Sequence, residues 1–173
     1  MTIVEVLCHE ITEADVRKIN ATSNDSQTGG GARDLRFSID YAPYLDRLFP
    51  QEITYEGRTP YRIGAFEHID AKGKKTVEQV RYAFQPTNAR AREVRIAQIS
   101  KLNLFLDLPE ISGADGVLFM AFIRKSEGLP QAQYLTERQI GAPGSNPVIA
   151  AAMRDALSKR RGKNAVVFAA TLR

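Results

Sequence analysis

Two segments of the chain combine the side chains that recognise nucleic acids. The first is a polar, glycine-rich stretch, residues 22–34, which runs into a strand-like segment ending at Ile39. Its amide side chains can form paired hydrogen bonds with adenine, and its arginines can do so with guanine or with phosphate oxygens. Three consecutive glycines also expose backbone N–H groups to a close ligand. The candidate binding residues of this first arm are Asn24, Asp25, Gln27, Thr28, Gly29, Gly30, Gly31, Arg33, Asp34 and Arg36.

The second segment is a cluster of basic residues opposed by a single carboxylate, Glu93. Arg90 and Arg92 share a face if this stretch is extended, and Arg92 and Arg95 share one if it is helical. Two such arms, far apart in sequence, could grip opposite edges of one groove. The same composition is also typical of a mobile surface loop and of solvated strand faces. The candidate residues of the second arm are Arg81, Asn88, Arg90, Arg92, Arg95, Gln98 and Lys101.

Three sequence blocks carry a resemblance to a known family. The first consists of Asn24-Asp-Ser-Gln-Thr-Gly-Gly-Gly, then Leu35-Arg-Phe-Ser-Ile39, then Leu48-Phe-Pro50. The second consists of Val80-Arg-Tyr-Ala-Phe84 and residues 88–96, and the third is Gly116-Val-Leu-Phe-Met-Ala-Phe122. In this order and at this spacing, the blocks resemble the N-terminal DNA-recognition domain of EcoRII-type restriction endonucleases. The resemblance spans roughly residues 10–140.

The resemblance implies a seven-stranded pseudobarrel, which is also found in plant transcription factors. It implies two arms in the DNA major groove, residues 24–36 and 88–98, within a restriction-modification or regulatory system. Double-stranded DNA is then the expected partner, alongside a nuclease or methyltransferase. The sequence departs from the family pattern in the Ala-Arg-Asp that follows the glycines and in the segment after residue 141.

The set of residues that a metal-dependent nuclease requires is incomplete in this chain. Such a site needs one acidic residue and then an acid-x-Lys pair to hold Mg²⁺ and activate water. Glu110 and Asp115 supply acids, but Lys125 has Ile123 two positions before it. We therefore expect no nuclease activity. The alternative, a compact nuclease that holds Mg²⁺ with Asp107, Glu110 and Asp115, would cut plasmid DNA into discrete fragments.

Other catalytic or cofactor motifs do not stand out. His9 and His68 are single and lack ligand spacing, so we interpret them as ordinary surface or core histidines. Cys8 is the only cysteine, which excludes an internal disulfide. The three glycines lack the Lys-Ser/Thr of a phosphate-binding loop. We expect no cofactor and no bound metal.

Alternating apolar and charged residues predict several short strands that position these arms. In residues 35–39, Leu35, Phe37 and Ile39 point one way, and the residues between them point the other. The unbroken apolar run 117–123 predicts a strand buried on both faces, with 131–136 paired to it. Further strands are expected at 3–7, 53–55, 61–66, 77–84, 93–99 and 166–170, and helices at 41–49 and 148–157.

These elements predict a mainly β (α+β) fold, a single-domain open β-barrel or pseudobarrel of about seven strands with two or three short helices. Residues 1–173 form one domain in this prediction, with 141–173 as a helix–strand extension. A third function, an RNA-binding or scaffold barrel, fits the same fold.

Composition sets limits on these alternatives. Of the 173 residues, 43% are hydrophobic and 25% charged, which is typical of a globular protein. The net charge of +4 is modest support for a polyanionic partner. No apolar run approaches the roughly 18 residues of a membrane span, and the N-terminus does not resemble a signal peptide. We predict a cytoplasmic protein with no membrane partner.

Overall fold

The computed structural model describes residues 2–20, 34–70, 72–97, 111 and 113–172, with residues 17–20 described by their backbone alone. The strands of this part of the chain are β1 (Ile3–Glu10), β2 (Asp34–Ser38), β3 (Gln51–Ile53), β4 (Tyr61–Ile69), β5 (Lys75–Ala83), β6 (Glu93–Ala97), β7 (Leu118–Lys125), β8 (Gln131–Thr136) and β9 (Val167–Thr171). The helices are α1 (Glu13–Asn20), α2 (Ala42–Leu48), α3 (Glu137–Gly141) and α4 (Pro147–Ser158), and a 3₁₀ turn (Ile39–Tyr41) precedes α2. The longest of these helices, α4, has 12 residues, which is too few to cross a bilayer.

All of these strands belong to one sheet, which confirms the mainly β, open-barrel fold class. The order along the sheet is β2-β6-β5-β4-β8-β7-β1-β9, with β3 paired to β4 at one side. The described residues contain nine strands and four helices, more than the seven strands and two or three helices expected. The strand expected at residues 53–55 is β3, which lies at Gln51–Ile53. The expected strand at 166–170 is β9, and it pairs with β1 within the same sheet.

The most apolar run of the sequence forms β7, which lies between two hydrophobic clusters. Leu118, Met120 and Phe122 face the larger cluster, enclosed by the curved sheet and α2. Phe119 and Ile123 face a second cluster that α3 and α4 cover. A strand buried on both faces reads as a continuous apolar run rather than an alternating one. The prediction for residues 117–123 is therefore confirmed.

Side chains, rather than strand pairing, connect the two ends of the sheet. In the described residues, no backbone ladder joins β2 to β1 or β9. The imidazole of His9 on β1 crosses this opening: Nε2 lies 2.8 Å from the carbonyl oxygen of Arg36 on β2. The hydroxyl of Tyr41 donates to the carbonyl oxygen of Val167 on β9 at 2.8 Å. We call this opening, bridged by His9 and Tyr41, the seam.

A buried carboxylate attaches α2 to the sheet. The side chain of Glu5 on β1 is only 4% exposed. It accepts hydrogen bonds from Arg47 on α2 at 2.5 Å and from Arg124 on β7 at 3.0 Å. Burial alone would raise the pKa of Glu5, but the hydrogen bonds and charges of the two arginines outweigh it, so this pKa lies below its usual value.

The seam predicts a specific loss of stability in the Tyr41→Phe variant. This change removes only the hydroxyl that donates to Val167, so we expect the free energy of unfolding to fall by about 1 kcal/mol. Urea denaturation measures it. Tyr44→Phe is the matched control, because its hydroxyl makes no hydrogen bond within the described part of the chain. Equal stability of the two variants would contradict the bridging role of Tyr41.

The lowered pKa of Glu5 predicts acid sensitivity. A carboxylate whose pKa is lower in the folded state stabilises the protein above its unfolded-state pKa of about 4.3, and this contribution is lost as the pH falls through the folded-state pKa. Between pH 7 and pH 3, the free energy of unfolding should fall less in Glu5→Gln than in the parent. The exposed Glu56 provides the control: Glu56→Gln should follow the parent. If the free energy of unfolding of Glu5→Gln falls between pH 7 and pH 3 as much as that of the parent, Glu5 is not the source of the acid sensitivity.

Candidate nucleic-acid interface

Three arginines that are far apart in sequence lie on one outer face of the sheet. Arg36 on β2 lies directly opposite Arg95 on β6 in the antiparallel ladder. Arg81 on β5 lies opposite Ala97, two residues beyond Arg95 on the same side of β6. Because side chains on one face of a strand recur every second residue, all three point away from the core. We call Arg36, Arg81 and Arg95 the arginine face.

The alternation predicted for the first arm is confirmed where the strand is described. Leu35 and Phe37 are buried in the core, whereas the Arg36 side chain is 39% exposed. Arg95 is 31% exposed, between the buried residues Val94 and Ile96. The structure therefore brings one arginine of each predicted arm together on adjacent strands.

Asp34 shares the outer side of β2 with Arg36 but is not accessible to a ligand. Its side chain is only 1% exposed, and it lies 3.8 Å from Arg36 Nε and 3.7 Å from Arg95 Nη1. Among the described residues, neither carboxylate oxygen has a hydrogen-bond partner. These separations are ion pairs without close contact, so Asp34 orients the two guanidinium groups electrostatically. Arg36 Nε is buried as well, which leaves the Nη groups of Arg36 and Arg95 to meet a ligand.

The other described residues of the second arm lie in the turn before β6. The N–H of Arg90 donates to the carbonyl oxygen of Thr87 at 2.9 Å, so this stretch is neither extended nor helical. Arg90 pairs with Glu93 at 3.0 Å. Arg92 is 79% exposed, and its carbonyl oxygen accepts a hydrogen bond from Ile39 N–H, which holds this turn beside the end of β2. Asn88 is also exposed.

Two tyrosines lie next to Arg81, at one end of the arginine face, and the sequence analysis did not identify them. The guanidinium carbon of Arg81 lies 4.0 Å from the centre of the Tyr61 ring on β4. Tyr55, in the turn before β4, has its ring centre 6.4 Å from that of Tyr61. The available signal was a tyrosine on each side of a turn containing Gly57 and Pro60, but nothing local in the sequence connects that turn to Arg81.

The seam contains a groove of about 800 Å³ next to the arginine face. Its charged lining is evenly mixed, with three cations and three carboxylates. These are Arg36, Arg92, Lys163, Asp15, Asp34 and Glu93. A polyanion gains less from a groove of balanced charge than from the arginine face, where Asp34 is buried and Glu93, on the Arg95 side of β6, is paired with Arg90.

Ten predicted binding residues lie outside the part of the chain that the structure describes. They are Asn24, Asp25, Gln27, Thr28, Gly29, Gly30, Gly31, Arg33, Gln98 and Lys101. The end of the strand predicted at 93–99, residues 98 and 99, lies there as well. For the first arm, the description is therefore limited to β2.

The remaining chemically active residues are used structurally where they are described. His9 and His68 are buried, so of the two alternatives, surface or core, both are core histidines. Cys8 is fully buried, which raises the pKa of its thiol and makes it a poor nucleophile. Asp115 pairs with Arg138 at 3.2 Å, while Asp107 and Glu110 lie outside the described residues. Within the described ranges, no group of three His, Cys, Asp or Glu side chains is arranged to hold a metal ion.

Comparison with known proteins adds no relative from which a function can be transferred. No protein-family model matches the chain, and a search of curated proteins gives no significant match. The functional argument therefore depends on the geometry of the arginine face.

Proposed function

We propose that this protein binds double-stranded DNA in a sequence-specific manner in the cytoplasm, as the recognition part of a restriction-modification or regulatory system. The observation that carries the proposal is the convergence of Arg36, Arg81 and Arg95, from three strands, on one exposed face. The resemblance to the EcoRII-type recognition domain supports it independently, because both proposed arms include a residue of this face.

The edge of the sheet carries two of the three arginines. β2 is the terminal strand, and within the described residues it pairs only with β6, which pairs in turn with β5 through residues 95–97. Strands of several DNA-binding folds enter the major groove of B-form DNA, which is about 12 Å wide. In our proposal, the edge strand β2 and the outward-facing side chains beside it occupy this groove. The deep, narrow major groove of A-form RNA does not admit them, which favours DNA over RNA.

The arginines divide into two roles in this proposal. Arg36 and Arg95 lie opposite each other on β2 and β6, where the two Nη groups of a guanidinium match the two acceptors of guanine. Arg92 extends from the turn before β6, with only a solvent-exposed partner, Asp40, at 3.8 Å. Such exposed ion pairs contribute little, so Arg92 is available for a phosphate. Phosphate contacts supply affinity, and base contacts supply sequence preference.

The two roles predict different effects of substitution. Arg36→Ala and Arg95→Ala should each weaken binding to a preferred duplex by about 1–3 kcal/mol and reduce the preference over other sequences. Arg92→Ala should weaken binding to all duplexes alike. It should also make the slope of log binding constant against log salt concentration shallower by about 1. Fluorescence anisotropy titrations at several salt concentrations measure both effects.

Arg138→Ala is the matched control for these titrations. Arg138 is an exposed arginine on α3, 77% accessible and away from the arginine face. The control has the same change in net charge, so it should bind as the parent does. If all four variants bind every duplex like the parent, the proposed interface is wrong.

A further inference from the structure

A small pocket lies at the tyrosine end of the arginine face. Its volume is about 260 Å³. Two tyrosines, an arginine, a glutamine and three aliphatic residues line it. These are Tyr55, Tyr61, Arg81, Gln79, Ile53, Ile63 and Val80. We call it the tyrosine pocket. Its volume is slightly below the roughly 300–1,000 Å³ of pockets that hold drug-sized ligands, so it suits a single ring system.

The turn between β3 and β4 holds the tyrosines together. The N–H of Arg58 donates to the carbonyl oxygen of Tyr55 at 3.2 Å. Gly57, between them, has φ = +70°, a conformation that other residues rarely adopt. The planes of the Tyr55 and Tyr61 rings are inclined at 34°, and Tyr55 is 56% exposed. A large aromatic ring is thus presented to solvent with a fixed backbone behind it.

The chemistry of the pocket selects a flat ligand that is not a cation. The guanidinium of Arg81 covers the Tyr61 ring and repels a positively charged group, which excludes the cation-binding role of many aromatic clusters. The exposed Gln79 amide offers one acceptor and two donor hydrogens to the edge of a ring. Nucleobases combine a π-face, a hydrogen-bonding edge and an attached phosphate, so they match all three groups.

We propose that the tyrosine pocket stacks one unpaired nucleobase of the DNA held on the arginine face. This inference rests on the proposed function, because Arg81 belongs to both the pocket and the face. A phosphate beside Arg81 would place the attached base over the Tyr55 ring. The stacking contact is tolerant of base identity, since every base has a π-face.

The test uses three probes: a fully paired duplex of mixed sequence, the same duplex with one unpaired 2-aminopurine, and oligothymidylate. For the parent, the unpaired base should raise affinity by about 5- to 100-fold, and binding should quench the 2-aminopurine fluorescence.

Tyr55→Ala should lose both effects while binding the fully paired duplex normally. Tyr55→Phe keeps the ring and should behave like the parent. Val148→Ala, which truncates an exposed apolar residue on α4, is the control for surface changes.

The outcomes separate this inference from the proposed function. If the parent binds the paired duplex but gains nothing from the unpaired base, or if Tyr55→Ala keeps the gain and the quenching, the stacking site is refuted and duplex binding stands. If the parent binds oligothymidylate in a Tyr55-dependent manner but does not bind the duplex, the stacking site is supported and the duplex proposal fails. If no probe binds, both fail.

Discussion

Burial of alternate residues on β2, β6 and β5 is the constraint that fixes the arginine face. The inward-facing residues of these strands are Leu35, Phe37, Val94, Ile96, Val80 and Tyr82, and all of them are nearly inaccessible to solvent. Since strand side chains alternate between faces, the residues between them must point outward. A shift of one residue in the register would bury the arginines and expose the core, so the hydrophobic core itself keeps these charges on the surface. The position of the arginine face is therefore a consequence of folding rather than of local loop structure.

Much of the secondary structure follows from local sequence patterns, but the assembly does not. The alternation of residues 35–39 predicts β2, and the apolar run 117–123 predicts β7 with both faces buried. The adjacency of Arg36 and Arg95 depends on pairing between strands more than fifty residues apart, which no local pattern encodes. The bridge from His9 to the Arg36 carbonyl oxygen could not be predicted for the same reason, because it crosses the seam between opposite ends of the strand order. The tyrosine pocket likewise depends on the register between β4 and β5.

The buried carboxylate of Asp34 tunes the electrostatics of the interface. Asp34 reduces the positive charge around Arg36 and Arg95 without forming close hydrogen bonds to either. Full pairing would occupy the guanidinium donors that the proposed DNA recognition requires, whereas no carboxylate would leave two like charges opposite each other on adjacent strands. The observed arrangement reduces the local positive charge and keeps the guanidinium groups oriented. In the proposed complex, this partial neutralisation lowers the affinity for DNA of any sequence and so increases the preference for the recognised sequence.

Selection of bound sequences from a random duplex library, at near-physiological salt, tests the central claim most directly. The parent should enrich a defined motif containing guanine, and a protein carrying both Arg36→Ala and Arg95→Ala should lose the preference at those positions while still retaining duplexes weakly. No enrichment by the parent, or the same motif from the double variant, would contradict the claim that the arginine face reads DNA sequence.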